Sequence, residues 1–470
     1  MTKTKKTVHS KYSVYIYITL VACMASIFGF NLGSILSSKV RLINIFMLEI
    51  YDIDSMVNTF LLGTFVGTFL GGRLVAETGR VQSILGAFCF GVIGQSTAIL
   101  SPTFSTLFIS EFAVGAAFGV YLISSVCYVT ELAPMERRGT CCSLVAVFLT
   151  FGLLLATLLH SVLPNNGILI VVIILFLSVP ILITSYVKLP ESPRWLALTD
   201  SSDRALTELI RLRQSTSEAA RELAAINECV LGEERGVGLF FRSSIFRAVL
   251  WYFVLVSVAC HISGIAIVPY MSMQLIQTYQ AALGIIIPLA HSEINFTLLT
   301  FILLAVFFGA LFTFFTVDKI GRRNLLLCAI LTNEIIIACL YVLIYGNFRS
   351  FGEYAIVGFI WFFVFSSAVA MVIIINIVSS ELLAAKGREF GLTVIYLTNL
   401  AAIMLGMYFF HKIMQSYGIL LMLCFFLLSG AFLFTLVYSG LPETRKKMLE
   451  NMENTIFNEK SLLALKTHKD

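Results

Sequence analysis

Leu189-Pro190-Glu191-Ser192-Pro193-Arg194-Trp195-Leu196 is the stretch on which the reading of this chain turns. Pro190 and Pro193 cannot both lie inside one regular helix, because proline lacks the amide donor and its ring clashes with the preceding turn. The apolar run that leads into the stretch therefore ends here, and Glu191 and Arg194 suit a charged turn at a membrane surface. Six long apolar runs precede it, a polar segment of about fifty residues follows, and six more apolar runs come after.

The composition points the same way. Apolar residues make up 58% of the 470, charged residues 13%, and the mean hydropathy is +0.92. A soluble domain carries roughly 25% charged residues. A spanning helix needs about 20 apolar residues, and twelve runs qualify: 14–36, 55–76, 82–101, 104–129, 139–162, 167–187, 246–277, 293–317, 324–345, 352–380, 390–412 and 417–440. Open backbone amides in hydrocarbon cost several kcal/mol each, so the spans must be helical. The expected fold class is an all-α membrane protein with twelve transmembrane helices.

The net charge of +5 lies in short loops on alternate sides of the runs and is no sign of a nucleic-acid partner. Lys3, Lys5, Lys6 and Lys11 precede the first run, Arg73 and Arg80 follow the second, and Arg137 and Arg138 the fourth. Arg194 follows the sixth, Lys319, Arg322 and Arg323 the eighth, Lys386 and Arg388 the tenth, and Arg445, Lys446 and Lys447 the twelfth. The opposite loops hold few basic residues, such as Lys39, Arg41, Arg349 and Lys412. The bias places both termini in the cytoplasm. The first run is too long for a cleavable signal peptide and has no small-residue cleavage site after it. The ten cysteines are scattered without a CxxC pair, and even the vicinal Cys141-Cys142 reads as packing on the reducing side.

The sequence also repeats itself. Gly79-Arg80 follows the second run and Gly321-Arg322-Arg323 the eighth, each just after an acid. Glu131 precedes Arg138 by seven positions after the fourth run, as Glu381 precedes Arg388 after the tenth. Leu-Pro-Glu-Ser at 189–192 is echoed by Leu-Pro-Glu-Thr at 441–444. The offsets are 242, 250 and 252 residues (321 − 79, 381 − 131, 442 − 190). Three boxes in one order at nearly one spacing mean two pseudo-symmetric six-helix halves, the internal repeat that transporters use. The boundaries expected are a cytoplasmic N-terminus at 1–13, a first half at 14–187, a linker at 188–245, a second half at 246–440 and a cytoplasmic tail at 441–470. Every box offers acid and arginine at cytoplasmic helix ends. Pairs between halves would close the inner side in one state and separate in the other, and a bias of a few kcal/mol suffices for such a switch.

Pro190 to Leu196, the Glu131-x-x-Pro134-x-x-x-Arg138-Gly139 box, Gly321-Arg322-Arg323 and Pro442-Glu443-Thr444-Arg445 together resemble the sugar porter family of the major facilitator superfamily. The resemblance runs over roughly residues 12–446 and is that of a divergent, glucose-transporter-like member. It implies alternating access around a midplane cavity, and short cytoplasmic helices at 196–245 linked to the gate, with Arg204, Arg211, Arg213, Arg221 and Glu222 among their residues.

The cavity departs from the family pattern. Where the family carries Gln-Gln-x-x-Gly-x-Asn in helix seven, this chain reads Cys260-His261-Ile262-Ser263-Gly264-Ile265-Ala266. The helix-five glutamine falls at Ala146, the helix-eight asparagine at about Val306, and the helix-ten Pro-Trp at Ile375-Asn376, while Asn399 matches an asparagine of helix eleven. Asn31 stands where the family has Asp in proton symporters and Asn in uniporters; Glu111 replaces the arginine that partners it. Counting rise along the two runs brings Asn31 and Glu111 to one depth, about 10 Å from the outer surface. An intramembrane acid is a functional candidate by default, and the competing reading is a helix–helix hydrogen bond with Asn31. His261 faces the same choice, and Glu334 reads as structural. Asn295-Phe296-Thr297 fits a glycosylation acceptor but lies too near the bilayer for use, and Trp361 to Phe365 reads as membrane packing.

The function expected is transport of a small polar organic solute, with a hexose-like sugar the leading class by resemblance. Asn31 favours facilitated diffusion; a proton-coupled symporter using Glu111, or a non-transporting nutrient sensor with a degenerate sugar site, are the alternatives. The substrate-binding candidates are Asn31, Glu111, His261, Asn376 and Asn399. The gating candidates are Arg80, Glu131, Arg138, Glu191, Arg194, Asp318, Arg322, Arg323, Glu381 and Arg388. No catalytic set, metal cluster or cofactor is expected beyond proton coupling. The partners expected are the solute and the lipid bilayer, with a monomer in the plasma membrane.

Overall fold

The computed structural model describes residues 13–37, 50–101, 103–163, 167–199, 201–230, 236–268, 272, 292–346, 352–459, 462 and 465. Lys3, Lys5, Lys6, Lys11, Lys39, Arg41 and Arg349 lie outside them, as does most of the seventh apolar run beyond Val268. Among the described residues there is no strand.

The first half comprises α1 (Ser13–Ser37), α2 (Ile50–Thr78), α3 (Arg80–Ile99), α4 (Phe104–Leu132), α5 (Arg138–Val162) and α6 (Gly167–Lys188). Four short helices follow it: α7 (Pro193–Leu198), α8 (Ser202–Arg213), α9 (Thr216–Val230) and α10 (Val237–Arg242). The second half comprises α11 (Ser244–Ile262), α12 (Ser292–Ile320), α13 (Arg322–Tyr345), α14 (Gly352–Met371), α15 (Ser379–Leu382), α16 (Arg388–Tyr417) and α17 (Ile419–Gly440), and α18 (Leu449–Glu459) comes last. A π-helical turn, Val372–Val378, joins α14 to α15, so the two make one membrane span. Among the described residues, eleven spans are long and apolar enough to cross a bilayer, and α6, with 22 residues, is a twelfth apolar helix. The fold is the all-α architecture of two six-helix halves.

Within lipid, helices associate by close packing rather than by hydrophobic burial, and small residues let their backbones approach. The first half uses this heavily. Gly29 and Gly33 of α1 face Leu149 and Leu153 of α5, and Gly152 of α5 faces Ser26. Gly67 of α2 faces Ala116 of α4, and Gly115 and Gly119 of α4 face Phe60 and Thr64 in return. In the second half the comparable approach is Gly309 of α12 against Phe365 of α14.

One span differs from expectation. The seventh apolar run reads as continuous from 246 to 277, but α11 ends at Ile262 and the chain turns through Ser263–Val268. Gly264 sits at φ +81° there, against the Phe426 ring of α17. Pro193 opens α7 as its first residue, behind Ser192, whose hydroxyl accepts from the Trp195 amide. The prolines of the opening stretch thus end one helix and start the next.

Candidate functional site

Two charged clusters lie at the helix ends that carry the repeated boxes. In the first, Gly79 takes φ +100° between α2 and α3, which leaves the α3 N-terminus open beneath Glu191. The Glu191 carboxylate accepts from the backbone amides of Arg80 (3.0 Å), Val81 (3.2 Å) and Ser192 (2.9 Å). It is a helix cap rather than the partner of a guanidinium, a role that helix N-termini favour for an acid. Burial pushes its carboxyl above the usual range in spite of those donors. The Arg80 side chain instead forks onto Glu131, with Nε and Nη2 each 3.0 Å from a carboxylate oxygen, and Nη2 also donates to Glu389 of α16. Arg388 of α16 reaches the same Glu131 carboxylate at 3.2 Å, and the Ser192 hydroxyl donates to it too.

The second cluster repeats the rule. Gly321 takes φ +102°, and Glu443 accepts from the amides of Arg322 (3.0 Å) and Arg323 (3.1 Å). Arg322 donates to Glu381 at 3.1 Å and lies 2.7 Å from Asp318, while the Thr444 hydroxyl donates to Glu381. Arg138 stands 3.9 Å from Glu381 and donates to the Lys447 carbonyl at 3.2 Å. Across the halves, Asp318 accepts from the amide and hydroxyl of Thr140, both at 2.7 Å, and Thr130 donates to the Ser380 hydroxyl at 2.9 Å. Arg323 does not cross. It donates to the Tyr438 carbonyl at 2.8 Å with its guanidinium over the Tyr438 ring.

Arg194 ties the linker helices to this floor. It donates to the Glu131 carbonyl at 2.7 Å and to Glu450 of α18 at 2.9 Å. Glu222 of α9 lies 3.7 Å from Arg194 and accepts a two-pronged bond from Arg213 at 2.8 and 3.0 Å. Burial alone would raise both carboxyls; Arg194 outweighs it at Glu450, and Arg213 with Arg194 at Glu222, holding each below the usual range.

In the membrane interior the structure brings Asn31 and Glu111 together. The Asn31 amide donates to Glu111 Oε2 at 3.1 Å, and both side chains are buried between α1 and α4. His261, the penultimate residue of α11, has Nδ1 2.7 Å from the Ser257 carbonyl, and its buried Nε2 has no partner among the described residues. Asn399 Oδ1 of α16 is likewise buried without a partner among the described residues. Asn376 lies in the π-helical turn and accepts from the Tyr396 hydroxyl at 2.8 Å. Glu334 packs beside Gly430 of α17, where the missing Cβ makes room for its carboxyl. Trp361 donates to the Phe301 carbonyl at 3.0 Å, so the aromatic run packs α14 on α12. Asn295 falls in the opening turn of α12.

The pattern that defines the sugar (and other) transporter family matches residues 5–456. The chain belongs to that family. It is 26% identical to the galactose–proton symporter of Escherichia coli K12 over all of both chains. It is 24% identical to the arabinose–proton symporter of the same strain, over 94% of this chain and 93% of the relative. Among solved structures, the proton:xylose symporter XylE of the major facilitator superfamily, bound to 6-bromo-6-deoxy-D-glucose, matches with a TM-score of 0.79 at 19% identity. That match covers 94% of this chain and 98% of the other.

Three acids of these clusters lie outside the gating candidates named from the sequence. Glu443 had a visible signal, since it stands in the second Leu-Pro-Glu box as Glu191 does in the first. Glu389 had one too: it follows Arg388 where Gly139 follows Arg138, a departure from the repeat. Glu450 had none, because α18 has no counterpart among the repeated boxes.

Proposed function

We propose that this multi-pass membrane protein carries a hexose-like sugar by alternating access, with facilitated diffusion as its mode. The observation that carries the reading is the buried set of cross-half contacts at the cytoplasmic face: Arg80 with Glu389, Arg388 with Glu131, and Arg138 beside Glu381. Buried ion pairs are poor static glue, because desolvation offsets most of their attraction. They are strong state markers, since parting them exposes both charges to water at once. Arg80, Glu131, Arg138, Arg194, Asp318, Arg322, Glu381 and Arg388 form the gate in this reading; Glu191 caps one gate helix, and Arg323 braces its own half. Asn376 and Asn399 join His261 in seating the solute. The division at 14–187, 188–245 and 246–440, the cytoplasmic termini, the plasma membrane and the monomeric state belong to the same proposal.

The second reading is proton coupling through Glu111. It is favoured by a buried carboxyl whose described side-chain partner is a neutral amide, and by relatives whose names are proton symporters. Uptake by purified protein in liposomes tests both, using a panel of hexoses and pentoses with and without a pH gradient. Saturable uptake indifferent to the gradient supports facilitated diffusion. Gradient-driven accumulation that Glu111→Gln abolishes transfers the case to symport. Binding without flux for every sugar would leave a sensor.

A further inference from the structure

Glu334 lies midway along α13, twelve residues from Arg322 and eleven from Tyr345 (334 − 322 and 345 − 334). At 1.5 Å per residue each end is about 17 Å away, so the carboxyl sits near the middle of the hydrocarbon. It rests on Gly430, close to the middle of α17, where even a methyl group would overlap it. Its Oε1 is buried without a partner among the described residues, and the side chain as a whole is half-buried.

Acids inside membranes ordinarily face the interior of the bundle and pair there. This one lies on an outer seam. Leu331 and Ile335 beside it on α13 are 44% and 63% exposed, and Leu428 and Phe432 of α17 are exposed as well. The same seam is shaped for a close neighbour. Ala431, Thr435 and Ser439 of α17 are all exposed, and the stripe they make begins next to Gly430. Small residues four apart let the backbones of two membrane helices approach.

The surroundings narrow what can meet the acid. As a carboxylate it would need a cation, but α13 beyond Arg323 and the stretches 352–378 and 419–440 that pack on it contain no Lys, Arg or His. Lipid chains offer neither donor nor acceptor, and the bilayer core holds no water to replace them. The neutral carboxyl carries one O–H donor and one carbonyl acceptor. Its complement is a second neutral carboxyl facing it, and a two-fold axis along the membrane normal places one at the same depth.

We propose that α13 and α17 form a dimerisation face, on which two copies of this chain join through a pair of Glu334 carboxylic acids. The stripe Ala431, Thr435 and Ser439 brings the two surfaces close enough for each O–H to donate to the other carbonyl. A single chain remains the carrier unit, and the monomeric state proposed above is the dilute limit. Pairing sets in as the density of the protein in the membrane rises, whatever solute it carries.

The test uses the purified full chain with one fluorophore at its C-terminus, reconstituted in phosphatidylcholine bilayers over a range of protein-to-lipid ratios. Photobleaching steps are counted spot by spot. Two-step spots should replace one-step spots as the ratio rises, beyond the number that chance overlap produces. Glu334→Leu and Ala431→Trp should each move the midpoint about tenfold toward higher density. Glu334→Gln, whose amide can pair in the same manner, should leave the midpoint in place. One-step spots at every ratio overturn the dimer and leave the acid for the span of another protein. A pair that survives both Glu334→Leu and Ala431→Trp joins through another face and overturns it too. The infrared carbonyl band of the neutral acid, assigned by difference from Glu334→Gln, gives a reading that does not depend on the bulkier variants folding. It should shift to lower frequency over the ratios at which two-step spots appear, and a band that stays in place overturns the acid pair.

Discussion

Arg80 sits between Glu131 of its own half and Glu389 of the other, whereas Arg322 sits between Glu381 and Asp318, both of its own half. The caps, the glycines and the hydroxyl contacts of the two clusters correspond residue for residue, so the repeat preserved the scaffold of each lock. The difference lies in where the second acid comes from. Arg388 approaches Glu131 at 3.2 Å, but Arg138 stays 3.9 Å from Glu381. Cross-half charge pairing is therefore concentrated in the first lock. The second lock reaches across through Thr140 and Asp318, whose hydrogen bonds involve one charge rather than two. One sequence rule has given two clusters with unequal charge pairing between the halves, and in the proposed gate the second would part first.

The sharpest way to break this comparison is to delete the central acid of each lock. Glu131→Ala takes the forked acid from Arg80, leaving it Glu389, and leaves Arg388 only the Ser380 and Leu383 carbonyls, and breaking a buried pair by removing one partner costs about 3–5 kcal/mol. Transport at matched surface expression should fall more than a hundredfold. Glu381→Ala should fall less, because Arg322 keeps Asp318 and Arg138 keeps the Lys447 carbonyl. Equal losses would erase the asymmetry. A smaller effect is expected from Glu389→Ala, which removes one acid from Arg80 and leaves the Glu131 fork. The state in which these clusters are parted should gain roughly tenfold in population, about 1.4 kcal/mol. A cysteine placed at Ser380 reports it through its labelling rate by an impermeant thiol reagent applied to the face that carries the clusters.

Gly79→Ala and Gly321→Ala probe what the locks share. Each glycine holds a φ near +100°, and a Cβ would stand 2.7 Å from Glu191 Oε2 or 2.6 Å from Glu443 Oε2. Such backbone costs of order 1–3 kcal/mol in a side-chain-bearing residue. The two variants should lose similar amounts of thermal stability in detergent; a clear difference would show that the scaffolds are unequal as well.

The smallest expected effect concerns pH. Glu450 is held below the usual carboxylate range, so the native state binds the proton less readily than the unfolded one. Its contribution is then complete above the unfolded value of about 4.3 and is lost as pH falls through the lower native value. Hydrogen-exchange protection of 449–459 should be flat from about pH 8 to pH 5 and should drop at any pH in Glu450→Gln. A decline between pH 8 and pH 6 would mean that another group sets the docking of α18.

The spans and the repeat were legible because they are written in many residues at once: twenty apolar positions per helix, and boxes copied about 250 residues apart. The locking residues were legible as boxes, yet their pairing was not. Glu191 reads as an ion-pair partner in sequence, and only the geometry of the α2–α3 turn turns it toward backbone amides. Glu389 shows in sequence only as a departure from the repeat, and Glu450 acts across a long separation with no signal from periodicity or repeat. The interior was legible where depth could be counted, as for Asn31 and Glu111. The end of α11 was not, because Ser263–Val268 is as apolar as a helix and its turn depends on one glycine at positive φ.

The cross-half pairs also impose a timetable on biogenesis. Arg80 precedes Glu389 by 309 residues and Arg194 precedes Glu450 by 256, so the first half emerges with its cations complete and their later partners unmade. At about 5–20 residues per second a ribosome needs roughly 15–60 s to supply Glu389. Throughout that interval the newly inserted helices must hold Arg80, Arg138 and Arg194 against water and lipid headgroups. The last stretch of translation is what withdraws those charges from solvent and completes the floor.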